Sequence, residues 1–398
     1  MEALSDRIKN LEESATIAMA AKARELKAQG LDVISLSLGE PDFPTPQHIQ
    51  DAAKEAIDAG KYFGYSPVPG YPDLRQAIAD KLKRDNQLEY TPNQIVVSTG
   101  AKQSIANVMM CLVDPGDEVV VFAPYWVSYA DIIKLAGGTP VPITGTIENN
   151  FKATAEQLSE AITPRTKAII YSSPCNPTGG VFSDEELRAI ARVVAQHDDV
   201  YVIADEIYEY INFAGDHVSM AALPNMYERT ITVNGFSKGF AMTGWRLGYI
   251  AAPEWLAKAC GKIQGQSTSG ANSIAQRAAI TALNGDMEPT HDMAQAYRRR
   301  RDLVLDLLKE IPGVKTYVPN GAFYIFPDVS AYFGKSDGEQ TINDSGDFCM
   351  YVLNKAHVSL VTGAAFGAPD CVRLSYAASD EQLREAIRRI KEVLEKLQ

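Results

Sequence analysis

From residue 95 onward, short and nearly uninterrupted apolar runs alternate with helical stretches, and that alternation leaves the chain few architectures. The runs are Ile95–Ser98, Glu118–Phe122, Ala168–Ser172, Val200–Ala204, Ile231–Asn234 and Leu247–Ala251. Apolar runs this short, without polar alternation, suit strands buried on both faces, as in a mostly parallel sheet covered by helices. Repeated strand–helix order gives an α/β fold. Ligands of such folds lie beyond the carboxyl ends of the strands. The polar groups that stand out in this sequence are expected just after these runs.

After the first run, Thr99-Gly100-Ala101-Lys102-Gln103 turns into a helix through Leu112. A glycine turn opening a helix offers free N–H groups and a positive dipole end, which suits a phosphate on the backbone of Gly100, Ala101 and Lys102. The Lys102 side chain opposes the dipole there, so a nearby anion would compensate it; a solvated surface lysine is the alternative. Trp126 places a flat ring at the mouth of the second run, able to stack on a flat heterocycle. Asp205 ends a buried strand, where an ionised carboxylate needs a cationic partner such as a protonated pyridine nitrogen. Tyr208, three residues on, can donate to a ring oxygen, whereas Glu206 reads as structural. Cys175 has no charged neighbour in sequence and reads as packing.

Lys238 sits among small and apolar residues in Gly235-Phe236-Ser237-Lys238-Gly239-Phe240-Ala241-Met242-Thr243-Gly244-Trp245-Arg246-Leu247-Gly248. Poor solvation lowers an amine's pKa, and a neutral amine can attack a carbonyl to form a Schiff base. Arg246, with its planar fork of donors, suits a phosphate. A lysine imine and a phosphate-binding arginine are what a pyridoxal 5'-phosphate site needs; an ordinary lysine beside a structural arginine is the alternative. Arg373 is a lone cation in the apolar strand Val372-Arg373-Leu374-Ser375-Tyr376, which a bidentate carboxylate would satisfy.

The fourteen positions from Gly235 to Gly248 resemble, without a gap, the lysine-attachment signature of the class I aminotransferases, fold type I of the pyridoxal-phosphate enzymes. The resemblance extends from Gly39 to Arg373 and is strongest to the prokaryotic subgroup of aspartate aminotransferases. It implies a mainly parallel seven-stranded sheet in a large domain with a smaller α/β domain. It also implies roles for single residues. Lys238, Asp205 and Tyr208 would be catalytic. Ser237, Arg246, Asn176, Trp126 and the Gly100–Lys102 turn would hold the cofactor with them. Gly39 would let the backbone approach the substrate's α-carboxylate, Asn176 and Arg373 would bind that carboxylate, Trp126 would border the substrate, and Lys102 would contact its distal carboxylate. Tyr65, in the loop from Lys61 to Gly70, would bond the cofactor phosphate of a partner subunit, which implies a homodimer with shared sites.

The net charge of −12 supplies no overall basic field for nucleic acid. The run Arg298-Arg299-Arg300-Arg301 would point in several directions on a helix and reads as salt bridges and solvated charge. Five scattered cysteines without a C-x-x-C pair suggest neither a disulfide framework nor a zinc site, and the five histidines lack metal spacing. The beginning of the chain, with Glu2, Asp6, Arg7 and Lys9, lacks the apolar core of a signal peptide, and no apolar run approaches a membrane span. The expectation is a cytosolic protein with an N-terminal arm over 1–45, a large domain over 46–300 and a small domain over 301–398. Small-domain strands are expected near Val314–Val318, Ala322–Phe326, Val358–Val361 and Cys371–Tyr376.

The resemblance favours amino transfer from an L-amino acid, foremost aspartate, to 2-oxoglutarate in a ping-pong reaction. Relatives that also take prephenate carry a lysine near the N-terminus where this chain has Glu12-Glu13, which weighs against that acceptor. Aromatic amino acids, alanine and kynurenine stay open as donors. A C–S lyase on the same fold would share every site residue. A non-catalytic pyridoxal-phosphate binder is disfavoured because every chemical position is filled.

Overall fold

The computed structural model describes residues 3–9 and 11–398; residues 1, 2 and 10, including Glu2 of the expected N-terminal arm, lie outside the described residues. Helices α1 (Asp6–Lys9) and α2 (Ala15–Ala28) lead into β1 (Ile34–Ser35), followed by α3 (Gln47–Asp58) and α4 (Pro72–Asn86). The alternating region comprises β2 (Ile95–Ser98), α5 (Ala101–Leu112), β3 (Glu118–Ala123), α6 (Ser128–Leu135), β4 (Thr139–Thr144), α7 (Ala155–Ala161), β5 (Thr166–Ser172), α8 (Asp184–Val194), β6 (Tyr201–Asp205), β7 (Thr230–Gly235) and β8 (Gly248–Ala251). Then come α9 (Glu254–Ser267), α10 (Ser273–Asn284) and the long α11 (Glu288–Leu308). The chain continues through β9 (Tyr324–Ile325), α12 (Ser345–Ala356), β10 (Val358–Ser359), β11 (Val361–Thr362), β12 (Val372–Ser375) and α13 (Asp380–Leu394).

The main sheet has seven strands in the order β2-β8-β7-β6-β5-β3-β4. Every pairing from β7 to β4 is parallel, and β8 runs antiparallel to both of its neighbours. All six apolar runs are strands of this sheet, to within two residues at either end. Their side chains are buried because helices cover both faces. Val119, Val121, Ile170 and Ile203 pack with α5 and α9, whereas Val120, Ile169 and Val202 pack with α7 and α8.

Three local differences from the sequence reading have physical reasons. Strand β4, Thr139-Pro140-Val141-Pro142-Ile143-Thr144, carries two prolines and so lacks the apolar signature; it pairs only with β3, at the edge, where proline is tolerated. The stretch Val314–Val318 is no strand and makes one isolated bridge, Lys315 to Asp328. Arg246 precedes β8 instead of following it. Because β8 is reversed, its amino end lies at the sheet edge where the parallel strands have their carboxyl ends, so Arg246 still reaches the same place.

Beyond the main sheet, β1 pairs parallel with β10, and β11-β12-β9 form a small antiparallel sheet. One apolar cluster joins Met19, Val33 and Leu36 to Phe323, Phe348 and Ile387. The four consecutive arginines lie on α11. Arg299 and Arg300 pair with Asp380, Arg300 also with Asp42, and Arg301 with Asp302. Among the described residues no helix is long and apolar enough to cross a membrane.

Candidate active site

A cavity of about 500 Å³ opens at the carboxyl edge of the main sheet. Gly39, Ala101, Lys102, Trp126, Asn176, Asp205, Tyr208, Ser237, Lys238 and Arg246 line it. Ten of the thirteen residues singled out from sequence therefore share one wall. Gly100 and Arg373 stand just behind it, and Tyr65 lies apart.

Gly100 caps α5 with φ +84°, a conformation that side chains rarely adopt, and a Cβ there would collide with the Arg246 guanidinium. Arg246 donates to the Thr243 carbonyl at 2.8 Å, which leaves donors of its fork directed at the helix end. Gly248 lets β8 approach so closely that a Cβ would overlap the Ala101 backbone nitrogen. Together these place an arginine fork and an unsatisfied helix N-terminus on one spot, an anion site.

Asp205 closes β6 and is buried. Its Oδ2 accepts from the Tyr129 hydroxyl at 2.5 Å and its Oδ1 from the Ile207 N–H at 3.2 Å. Burial pushes the carboxyl up to about 6, against the pull of those two donors and of Lys238. Lys238 follows β7, and its ammonium donates to the Gly39 carbonyl. Burial lowers this amine to about 8, helped by the charges of Arg373 and Arg246 and opposed by Glu40. A Cβ on Gly39 would run into the Tyr324 hydroxyl, so glycine is what lets this loop close over the lysine.

Arg373 is 1% exposed. Its fork donates to Asn176 Oδ1 at 2.9 Å and to the Ser37 carbonyl at 2.6 Å, while Nε has no partner. The guanidinium lies 4.6 Å from the Tyr324 ring centroid and 5.1 Å from that of Phe366. Burial lowers its pKa. Trp126 stands edge-on to Tyr129 at 5.5 Å, and the Lys102 ammonium sits 4.9 Å from the Trp126 ring. Lys102 is lowered by burial and then by Arg246. The Tyr208 hydroxyl meets the Tyr324 hydroxyl at 2.7 Å. Cys175 is pushed up to about 11 by burial, so it stays a thiol at neutral pH. Tyr65 is 99% exposed and contributes nothing to the cavity of its own chain.

Tyr129 and Tyr324 were not legible as site residues in the sequence. Tyr129 lies one helical turn past Trp126, an available but weak signal. Tyr324 stands behind Gly39 and Tyr208, reaching them from β9, far along the chain, with no motif around it. Ile17 of α2 also lines the cavity, which the helical spacing of the amino end gave no reason to expect.

The charges do not balance internally. Among the described residues no cation stands within ion-pair distance of Asp205, and no carboxylate within that distance of Lys238 or Arg373. Burying unpaired ions is costly, so the arrangement calls for a ligand with a cation toward Asp205 and anions toward Arg373 and the Gly100–Arg246 corner. Pyridoxal 5'-phosphate fits that donor set: a ring nitrogen for Asp205, a carbonyl for Lys238 and a phosphate for the helix end. An amino acid carboxylate fits Arg373.

Comparison with known proteins agrees. The family model for class I and II aminotransferases matches residues 31–390. An aspartate/prephenate aminotransferase of Cereibacter sphaeroides is 49% identical over 98% of both chains. The aspartate aminotransferase of Bacillus subtilis is 46% identical over 99% of both. Among solved structures, the aspartate aminotransferase of Rhizobium meliloti superposes with a TM-score of 0.96 at 41% identity, covering all of both chains. That of Thermus thermophilus with maleate gives 0.93 at 43% identity, covering 99% of this chain and 100% of the other. The chain belongs to the class I and II aminotransferases and is a pyridoxal-phosphate-dependent, aspartate transaminase-like enzyme.

Proposed function

We propose that this protein moves the amino group of aspartate to 2-oxoglutarate through alternating half-reactions. The observation that carries this reading is a pair of cations about one cavity, Lys102 lining it and Arg373 buried behind Asn176, which lines it too. A dicarboxylic amino acid has one carboxylate for each. The Thermus relative with 43% identity has been solved with maleate, itself a dicarboxylate.

When bound, pyridoxal phosphate supplies the carbonyl that Lys238 attacks and a ring that accepts the electrons released from the substrate's Cα. The chain's own residues do the rest. Arg373 and Asn176 fix the α-carboxylate, and the backbone of Gly39 closes above it. Lys238 Nζ would take the proton from Cα, a task suited to an amine held near neutrality. Asp205 stays ionised because Tyr129 and the Ile207 N–H donate to it, and so holds a ring nitrogen in its protonated form. Tyr208 would donate toward the ring oxygen, Trp126 would flank the ring face, and Ser237, Arg246 and the α5 end would grip the phosphate.

We further infer a cytosolic homodimer in which Tyr65 completes the partner's site. The support is a tyrosine and a phenylalanine, Tyr65 and Phe63, projecting into solvent from a single loop. The division into an arm over 1–45, a large unit over 46–300 and a small unit over 301–398 is supported by the cluster joining Met19 and Val33 to the carboxyl-terminal elements; α11 runs across residue 300 and would connect the two units.

Prephenate as an acceptor is a second reading, favoured by the name of the Cereibacter relative and opposed by Glu12-Glu13. The test is a half-reaction panel. Loaded enzyme is mixed with single amino acids, and the conversion of the aldehyde cofactor to its amine is followed by absorbance. Aspartate and glutamate are expected to react at least about tenfold better than alanine or phenylalanine, given the charge-assisted bonds they gain. Equal rates for alanine would overturn the dicarboxylate assignment, and pyruvate with ammonia released from a cysteine conjugate would indicate a lyase. Prephenate added to the amine form separates the two acceptor readings.

A further inference from the structure

The turn after β6 sends its side chains two ways. Asp205 and Tyr208 line the cavity, whereas Glu206 and Glu209 are buried on the far side of the same turn. Two buried carboxylates directly behind an active site need compensation. Glu209 receives it from Lys81, which also donates to Asn86 Oδ1 at 2.7 Å, and from Asn234 at 2.9 Å. Glu206 Oε2 accepts from the Ser219 hydroxyl at 2.7 Å and lies at ion-pair distance, 3.0 Å, from His217 Nε2, while neither that nitrogen nor Glu206 Oε1 has a partner in hydrogen-bond geometry. Asn86 joins the two halves, donating to Glu209 Oε2 and to Ser219 Oγ, both at 3.0 Å. Exposure of the four charged side chains is 1% for Lys81, 4% for Glu209, 1% for Glu206 and 9% for His217.

Glu206, Glu209 and His217 bring ligand atoms within 4.8 Å of one another, a spacing a divalent cation can use. Lys81 already stands as the cation against Glu209, however. Asp85 also stands 4.0 Å from Lys81 but is paired with Arg84 at 2.7 Å, so with His217 protonated the two buried carboxylates and two cations leave no charge for a metal to neutralise. We propose that His217 and Lys81 hold Glu206 and Glu209 in a charge-balanced quartet that positions Asp205 and Tyr208 from behind and sets the potential in which they work, with His217 as the positioning residue. This rests on the cofactor reading above.

Burial works against protonated His217, but Glu206 and then Glu209 outweigh it and raise its pKa, while Lys81 opposes them. Burial likewise pushes Glu209 up, yet Lys81 and His217 bring it below its ordinary value. Tyr90, Tyr171 and Tyr249 also feel Glu206; burial and these charges push their hydroxyls up, so they remain neutral. His217 is therefore the member of the group whose charge is most readily removed.

The test uses holoenzyme loaded with pyridoxal phosphate, whose absorbance reports protonation of the Lys238–cofactor linkage as pH is scanned. His217→Gln leaves the quartet one charge negative and should raise the midpoint by about half a unit or more. Glu206→Gln leaves it one charge positive and should lower the midpoint by a similar amount. The double variant restores balance and should return toward wild type. Ser219→Ala removes a hydrogen bond and no charge, so it should lower the melting temperature with the midpoint unmoved. A scaffold without electrostatic influence would give folded variants whose midpoints stay put or all move one way, and either result overturns the proposal. Should Glu206→Gln not fold, His217→Gln and the double variant carry the same contrast. Variants that fail to shift beside a wild type that titrates normally would sink the quartet alone; a wild type that takes up no cofactor would sink the cofactor reading with it.

Discussion

Burial disfavours the charged forms of Asp205 and Lys238, and each effect has its own sign. The carboxyl of Asp205, ordinarily near 3.8, titrates near 6 when buried. The folded chain therefore binds that proton more tightly than the unfolded one, and stability falls as pH rises from about 4 to 6. Lys238, ordinarily near 10.5, titrates near 8. Its folded form binds the proton less tightly, so stability is reduced below about pH 8 and recovers as pH climbs toward 10.5. Asp205→Asn is expected to stabilise the cofactor-free protein at pH 7 by about 1–3 kcal/mol while abolishing turnover. Urea denaturation should show the gain at pH 7 and its disappearance near pH 4; the same gain at both would contradict the burial argument. Tyr129→Phe removes a donor that holds Asp205 ionised. Cofactor affinity should fall about tenfold, the value of one charge-assisted hydrogen bond, and the acid limit of tight binding should move upward in a pH series of titrations. Lys102→Ala should raise the KM for aspartate about tenfold or more and leave alanine unchanged; equal losses for both would remove the side chain from substrate recognition.

At the scale of elements, two glycines separate close approach from mere flexibility. Gly248→Ala would drive β8 off the amino end of α5, where Ala101 helps to form the anion corner. It is expected to weaken cofactor binding and to cost about 1–3 kcal/mol of stability, as overpacking does. Gly261, inside α9, faces open space, and Gly261→Ala should stabilise by about 0.5–1 kcal/mol through helix propensity alone. Thermal melts of both, with cofactor titrations, decide the matter. These elements also show why part of the fold was readable in the sequence. Six strands are buried on both faces and so announce themselves as apolar runs. Edge strand β4 is paired on one side and tolerates prolines, which erases its signature. The site residues that follow strands were legible for the same reason. Tyr324 was not, because what brings it behind Gly39 and Tyr208 is the packing of a distant small sheet, and no local pattern encodes that. The reversed β8 hid the direction from which Arg246 arrives, while its role as a fork near small residues was plain.

For the molecule as a whole, the least readable feature is what lies outside one chain. Tyr65 was singled out by resemblance alone, and its ring stands in solvent with no contact to the cavity of its own chain. If partners share sites, mixing inactive Lys238→Ala chains with weakly active Tyr65→Ala chains should restore activity, since hybrid dimers carry one site with both residues intact. No recovery after subunit exchange would contradict shared sites. The −12 net charge belongs to this scale as well: it says little about the substrate, because the proposed contacts with Arg373 and Lys102 would be local ones inside an acidic protein.

The claim on which the rest depends is that the Lys238 amine forms the covalent link to an aldehyde cofactor. Reduction of the holoenzyme with borohydride, followed by peptide mapping, tests it directly. One pyridoxyl phosphate per chain is expected, located on Lys238 and absent from Lys238→Ala. Label spread over surface lysines, or found on Lys102 with Lys238 unmodified, would contradict it.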